Sequence, residues 1–519
     1  MPTKRREFLK AGLASSLFLP LPYARVWAQS EGSVRLIRAP KVALVIGNGK
    51  YKDAPALKNA PNDAKAVGET LKAAGFEVTM KLDTGREEMI EAIRAYVHLM
   101  EQRKHVGLFY FAGHGVQLAW RNYLLPVDAV IDKIEDVAKQ SVDLARLMEG
   151  LTKAANPMNV IILDACRENP FGKDFRVEQK GLSQMDAPAS TLLAYATSPG
   201  NVASDGDGVN GLYTENLLKE IKVPEARIED VFKRVRLAVR RKTNGAQIPW
   251  ECTSLEEDFW FIPPKELKKA SDAEKDKAFK EEAGLWDRIQ KSTEPVPFED
   301  YLRRYPNGHF SELAQLQLDR VLAKQGEKKI EIVNSAANPF TKGSAVANTA
   351  FKVGDSYQYR VLDPFSKAVQ VTYSAEITRI NEYEVTFSNG EAVDLLGSLL
   401  QNRQGLRLSS NQILPLEYAV GKRWTTRYSV FDRGGTATAD FDGHVVTRER
   451  ITVPAGTFDA FKMEYRGSVS GNFGRLEIST VIYRAPEIIR ANLVFQIIRR
   501  NRGVPVHAER TELVSYKQA

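Results

Sequence analysis

Apolar runs of strand length divide the first 200 residues: 41–46 (KVALVI), 106–112 (VGLFYFA), 159–165 (NVIILDA) and 191–197, with an alternating run at 76–82. Continuous runs of this length are the type buried on both faces of a parallel sheet. Between them the apolar spacing lengthens to that of helices. One is predicted over 62–74 and stopped by Gly75, and one over 86–103 with Ile90, Ile93, Val97 and Met100 on one face. A third covers 143–154, with Asp143 placed as its cap, and two more follow at 211–221 and 228–243. Strand–helix alternation across 38–262 predicts an α/β domain, its sheet mainly parallel and covered by helices on both faces.

After residue 262 the texture changes. Pro263, Pro264 and the charged run 265–282 read as a solvated helical linker. Residues 283–327 predict a small α-helical unit around Trp286, Ile289, Tyr301, Leu302, Tyr305, Leu313 and Leu316. Its segment Tyr301-Leu302-Arg303-Arg304-Tyr305-Pro306-Asn307-Gly308 resembles the helix-ending element of tetratricopeptide-like hairpins. A polar second linker, 328–350, leads into 351–519, where Thr-, Val- and Tyr-rich alternation between Gly and Asn turns predicts an all-β domain. Val353-Gly354-Asp355-Ser356-Tyr357 is echoed 67 residues later by Val420-Gly421-Lys422-Arg423-Trp424. The echo predicts two related β-meanders packed as a sandwich, clam or partial barrel. His444 and His507 have no partners at metal-ligand spacing, and this domain offers no chemistry of its own.

Composition supplies ordinary cores, with 43% hydrophobic and 27% charged among 519 residues, and excludes wholesale disorder. The 73 basic and 65 acidic residues leave a net charge of +8. Half of it lies in the first 30 residues, where Lys4, Arg5, Arg6, Lys10 and Arg25 face Glu7 alone. The other half matches 351–519, with 22 basic against 18 acidic residues. No basic cluster with interleaved aromatics occurs, which argues against nucleic acid as a partner. The leading charge belongs to Arg5-Arg6-Glu7-Phe8-Leu9-Lys10, followed by a mildly apolar run and Val26-Trp27-Ala28. Residues 1–28 resemble a twin-arginine signal peptide, with Lys4 where Ser or Thr is usual. That resemblance implies export to the periplasm. The apolar run is short and carries Pro20 and Pro22, so no stable membrane span is expected.

Two cysteines, Cys166 and Cys252, exclude a disulfide framework and a cysteine-rich zinc module. Cys166 ends one of the most apolar strands, in Asp164-Ala165-Cys166-Arg167, and His114 ends another, in Ala112-Gly113-His114-Gly115. Parallel neighbours deliver their C-terminal ends to one sheet edge, where open α/β sheets place their sites. There an imidazole can take the proton of a thiol that attacks an acyl carbon. The Gly115 and Cys166 N–H groups are natural donors to the resulting oxyanion. Cys252, in Pro249-Trp250-Glu251-Cys252, reads as structural.

The spacing of 52 residues between a strand-end His and a strand-end Cys matches caspases. Residues 40–261 resemble the caspase-like fold, and within it the bacterial metacaspase-like branch of clan CD cysteine peptidases, family C14. The resemblance rests on Ala43-Leu44-Val45-Ile46-Gly47-Asn48, Asn62-Asp63-Ala64, Gly75-Phe76, Ala112-Gly113-His114-Gly115, Asn122-Tyr123-Leu124-Leu125-Pro126-Val127-Asp128-Ala129, Asp164-Ala165-Cys166-Arg167 and Pro249-Trp250. It implies a catalytic dyad of His114 and Cys166. It also implies recognition of Arg or Lys by Asp63 and Asp164, because two carboxylates attract a guanidinium and reject an acidic side chain. Lys58, near the place of the caspase pocket Arg, argues the other way, and Asp63 alone can be read as a carboxylate at a helix start.

Ser204-Asp205-Gly206-Asp207-Gly208 is acidic, and some metacaspases need calcium, but no EF-hand pattern is present. No metal or other cofactor is therefore expected. Cys166 is followed by Arg167-Glu168, unlike eukaryotic relatives, and Lys173, Arg176 and Lys180 follow in a stretch where self-cleavage is an expectation. The leading reading is an exported cysteine endopeptidase acting on proteins or peptides with basic residues. The alternative is a catalytically silent scaffold, with 351–519 available for an envelope partner.

Overall fold

The computed structural model describes residues 31–102, 104–166, 182–198, 208–267, 270–327, 338–432 and 435–518. The signal-like N-terminus, the stretch with Lys173, Arg176 and Lys180, and all but Gly208 of the acidic loop lie outside the described residues.

A short helical segment, α1 (31–38), precedes the α/β domain. Strands β1 (Lys41–Gly47), β2 (Phe76–Leu82), β3 (Val106–Leu118), β6 (Met158–Cys166), β7 (Thr191–Tyr195) and β8 (Trp250–Thr253) form one sheet in the order β2-β1-β3-β6-β7-β8. All pair in parallel except β8, which joins β7 antiparallel. The period of two along each strand sorts its side chains onto two cores. Ala43, Val45, Leu108, Tyr110, Val160 and Ile162 face α2 (Ala60–Ala73), α6 (Leu212–Ile221) and α7 (Ile228–Lys242). Leu44, Ile46, Phe109, Phe111, Ile161 and Leu163 face α3 (Arg86–Gln102) and α5 (Leu144–Ala154). The expected caps are in place. The Asp143 carboxylate accepts from the Ala145 N–H at 2.9 Å, and Gly75 ends α2 at φ +86°. Four elements carried no clear sequence signal: α4 (Ile134–Gln140), the short strands β4 (Arg121–Leu124) and β5 (Val142–Asp143), and the edge strand β8.

Helices α8 (Asp272–Ile289), α9 (Pro295–Arg304) and α10 (Ser311–Lys324) make the helical unit. Residues 272–282 of the charged run lie in α8, the same helix as Trp286. Phe279, Trp286, Phe298, Tyr301, Phe310 and Leu313 pack with barrel residues in one continuous core. Gly308 is required, because a Cβ there would meet Glu282 Oε1, which also accepts from the Tyr301 hydroxyl at 2.6 Å.

Twelve antiparallel strands among the described residues close into a barrel, the first (Ser356–Leu362) pairing with the last (Val504–Lys517). Closure, rather than a sandwich or partial barrel, removes both sheet edges. The internal echo is a repeated corner. Gly354 and Gly421 sit at φ +91° and +93°, and each donates to a strand residue, Ile377 or Val445, whose N–H returns to the next residue's carbonyl. A two-stranded pair, β9 (Ser344–Val346) with Glu417–Ala419, links barrel and α/β domain, and Arg236 bridges Glu251 and Glu417 at 3.0 and 3.3 Å.

Glu312 of α10 holds the helical unit to the barrel. Its carboxylate receives the Leu416 N–H at 3.0 Å and Lys422 Nζ at 2.9 Å. Burial alone would raise its pKa, but Lys422 and Lys233 outweigh burial and bring it to about 2. The folded value lies below the ordinary 4.5, so the stabilisation is complete above pH 4.5 and is lost as pH falls toward 2. We expect about 3 kcal/mol of acid-dependent destabilisation from this group, absent in Glu312→Gln, when denaturant midpoints are compared across that window.

Candidate active site

Strand β3 does not stop at the glycine-flanked histidine, as its sequence suggested. It pairs with β1 as far as Ala112↔Gly47 and with β6 as far as His114↔Cys166, then turns onto β4 from Gly115↔Leu124. His114 therefore sits where the chain leaves the parallel sheet. Its backbone lies beside that of Cys166, the last residue of β6, at the spacing of neighbouring strands, about 4.8 Å.

His114 is buried, at 5% exposure, and its ring is fixed from one side. Nε2 lies 2.7 Å from the Pro55 carbonyl oxygen. A carbonyl only accepts, so Nε2 carries the proton and the basic nitrogen is Nδ1. The backbone N–H of His114 donates to the Tyr51 hydroxyl at 2.8 Å, and the Tyr51 ring packs 4.6 Å from the imidazole. Gly113 makes room for this, since a Cβ there would lie 2.6 Å from the Tyr51 oxygen. Sequence reasoning missed Tyr51 and Pro55. The flanking glycines announced a close approach without saying which neighbour makes it.

The ladder also orients the Gly115 amide. Ala112 O and His114 O accept from Asn48 and Leu125 N–H groups on the β1/β4 side. Alternation along the strand turns the N–H of Gly115 to the other side, toward β6. A Cβ at Gly115 would press on Leu182 at 2.9 Å and Ala165 at 3.2 Å.

Asp164 and Asp63 come together around Tyr110. The parity that puts Ile162 and Tyr110 on the α2/α6 face puts Asp164 there too. The Thr214 hydroxyl of α6 donates to Asp164 Oδ2 at 2.6 Å, and Tyr110 lies 2.7 Å from Thr214 and 3.3 Å from the same oxygen. Asp63 of α2 accepts from Asn210 Nδ2 at 2.8 Å and from the Gly211 N–H at 3.0 Å, at the start of α6. Burial, then Asp164 and Asp63, push the Tyr110 hydroxyl well above its usual range and keep it neutral. The two carboxylates differ in access: Asp164 is half-buried, whereas Asp63 is buried at 3% exposure. Lys58 is exposed on the surface.

The stretch 182–187, ahead of β7, brings Leu182 against Gly115 and is held from two sides. Asn122 exchanges hydrogen bonds with Ser183 at 2.6 and 2.8 Å. From the segment leading to the barrel, Asn338 Nδ2 donates to Ser183 Oγ and the Gln184 carbonyl, both at 3.1 Å, and the Phe340 carbonyl accepts from Asp186 N–H at 2.7 Å. Cys252 is opposite Leu193 on β8, two strands from β6, and burial pushes its thiol up to about 12. Among the described residues, no group of three or more His, Cys, Asp or Glu is placed to hold a metal ion.

Comparison with known proteins bears on residues 40–260, which match the family model "Peptidase_C14: Caspase domain". Mucosa-associated lymphoid tissue lymphoma translocation protein 1 of Homo sapiens is 29% identical over 160 residues, 31% of this chain and 19% of its own length. Its Mus musculus homolog is equally identical over 160 residues, 18% of its length. The chain thus spans about a fifth of the curated relatives it matches. The crystal structure of the Drosophila initiator caspase Dronc aligns at 15% identity and TM-score 0.33, over 44% of this chain and 85% of that one. Residues 40–260 belong to the caspase domain family, peptidase C14.

Proposed function

We propose that the protein is an exported, periplasmic cysteine endopeptidase of metacaspase type that cleaves after Arg or Lys. The observation that carries this reading is the in-register meeting of His114 and Cys166 at the sheet's C-terminal edge, with the Pro55 carbonyl holding the proton on Nε2. In this reading Nδ1 takes the Cys166 thiol proton as sulfur attacks the scissile carbonyl. The Gly115 and Cys166 N–H groups bind the oxyanion. The imidazolium then protonates the leaving amine, and water releases the acyl group from sulfur with His114 as its base. Asp164, half-exposed, would receive the guanidinium or ammonium of the substrate, and Asp63 would add negative potential through the α2/α6 junction.

The test is hydrolysis of fluorogenic peptides ending in Arg, Lys or Asp before the scissile bond, with and without calcium. Cleavage after Arg and Lys, with Asp at background, is expected. Faster cleavage after Asp would reverse the specificity, and no cleavage of any peptide would favour a silent scaffold.

A further inference from the structure

The long hairpins of the barrel share one rim. Its strands alternate in direction, and the turns beyond Leu362↔Val369, Asp432↔Gly435, Gly471↔Gly474 and Asn501↔Val504 all join strand ends on the same side. Ties to the rest of the chain fall on the barrel wall, where Arg427 pairs with Asp276 of α8, and at the opposite rim. There Lys324 meets Glu382 at 2.8 Å, Lys422 meets Glu312 at 2.9 Å, and the Asn348 N–H donates to the Pro486 carbonyl at 3.1 Å.

The hairpin rim carries large apolar side chains in solvent. Phe365 is 68% exposed, Phe473 62% and Val504 64%, on three different hairpins. Beside them stand exposed cations, Lys367, Arg475, Arg499 and Arg502, and among the described residues these three arginines enter no ion pair. Asp363 accepts from the N–H groups of Phe365 and Ser366 within its own turn, which keeps its carboxylate ionised. The acids at this rim, Asp363, Asp432 and Glu477, are fewer than those four cations.

We propose that this rim is a peripheral docking surface for an anionic lipid bilayer. A folded protein partner needs a contiguous patch with a packed core. Here the anchors project singly from separate turns, each near a cation. That pattern fits a deformable surface that is anionic at its headgroups and apolar beneath them. Phe365, Phe473 and Val504 enter the acyl boundary while the arginines meet lipid phosphates. The α/β domain, at the far rim, stays in water. The inference does not depend on the proposed peptidase activity.

Co-sedimentation of the full-length protein with phosphatidylcholine vesicles and with phosphatidylcholine–phosphatidylglycerol vesicles tests it. Binding is expected to the anionic vesicles only, weakening as salt is raised. Phe365→Ser/Phe473→Ser should lower the partition coefficient about tenfold or more, and Arg499→Glu/Arg502→Glu should do the same. All four side chains are exposed, so the unfolding transition should not move. Absence of binding to anionic vesicles at low salt, equal binding to neutral ones, or variants that sediment like wild type would each overturn the proposal. So would a lipid-free dimer that the phenylalanine variant dissolves, which would assign the rim to a second copy of the chain.

Discussion

Cys166→Ala protein is expected to hydrolyse Arg-containing peptides at least about 10³-fold more slowly than wild type, with no change in its unfolding transition. The size follows from the absence of a substitute nucleophile in the described site. Cys252 is buried two strands away, and burial keeps its thiol protonated at neutral pH. Alanine leaves the strand pairing intact, because β6 is held between β3 and β7 by backbone hydrogen bonds and apolar contacts. Stopped activity with an intact fold would therefore report chemistry rather than unfolding.

Asp164→Asn should reduce kcat/KM for Arg peptides by about 10²-fold, the scale of removing one partner from a desolvated charge pair. Asparagine keeps an oxygen for the Thr214 hydroxyl and keeps the volume, so the network with Tyr110 survives the change. The informative readout is the ratio between an Arg peptide and its citrulline counterpart, which matches it in shape but lacks the charge. Wild type should discriminate strongly and Asp164→Asn weakly, through loss on the Arg peptide alone. An equal loss on both peptides would mean that Asp164 holds structure rather than substrate. Asp63→Asn should have a smaller effect on this ratio, because its oxygens are engaged by Asn210 and Gly211.

The α/β domain was legible because its strands are buried on both faces and its helices on one, so the period of the apolar residues names each element. The short pieces were not. β4, β5 and β8 have two to four residues each, too few to show a period, and they exist because β3, β4 and β7 present edges to be paired. The positions of His114 and Cys166 could be read from strand ends, yet the groups that orient His114 could not. Pro55 acts through its carbonyl, which every residue possesses, and Tyr51 reaches the site from a loop without periodicity. In the β region the repeated Val-Gly pair, read as a sign of two β-meanders, falls at two equivalent corners of one barrel. Closure into a barrel depended on pairing between strands about 160 residues apart, Ser356 with Lys517, and no local pattern encodes that.

We propose Cys166 as a nucleophile poised for substrates with a basic side chain. Its most direct test is incubation of the full-length protein with a peptidyl-arginine acyloxymethyl ketone, followed by intact mass measurement and peptide mapping. One adduct is expected, on Cys166, lost in Cys166→Ala and much slower to form with the aspartyl reagent. A folded protein that takes no label, or takes it on Cys252, would contradict it.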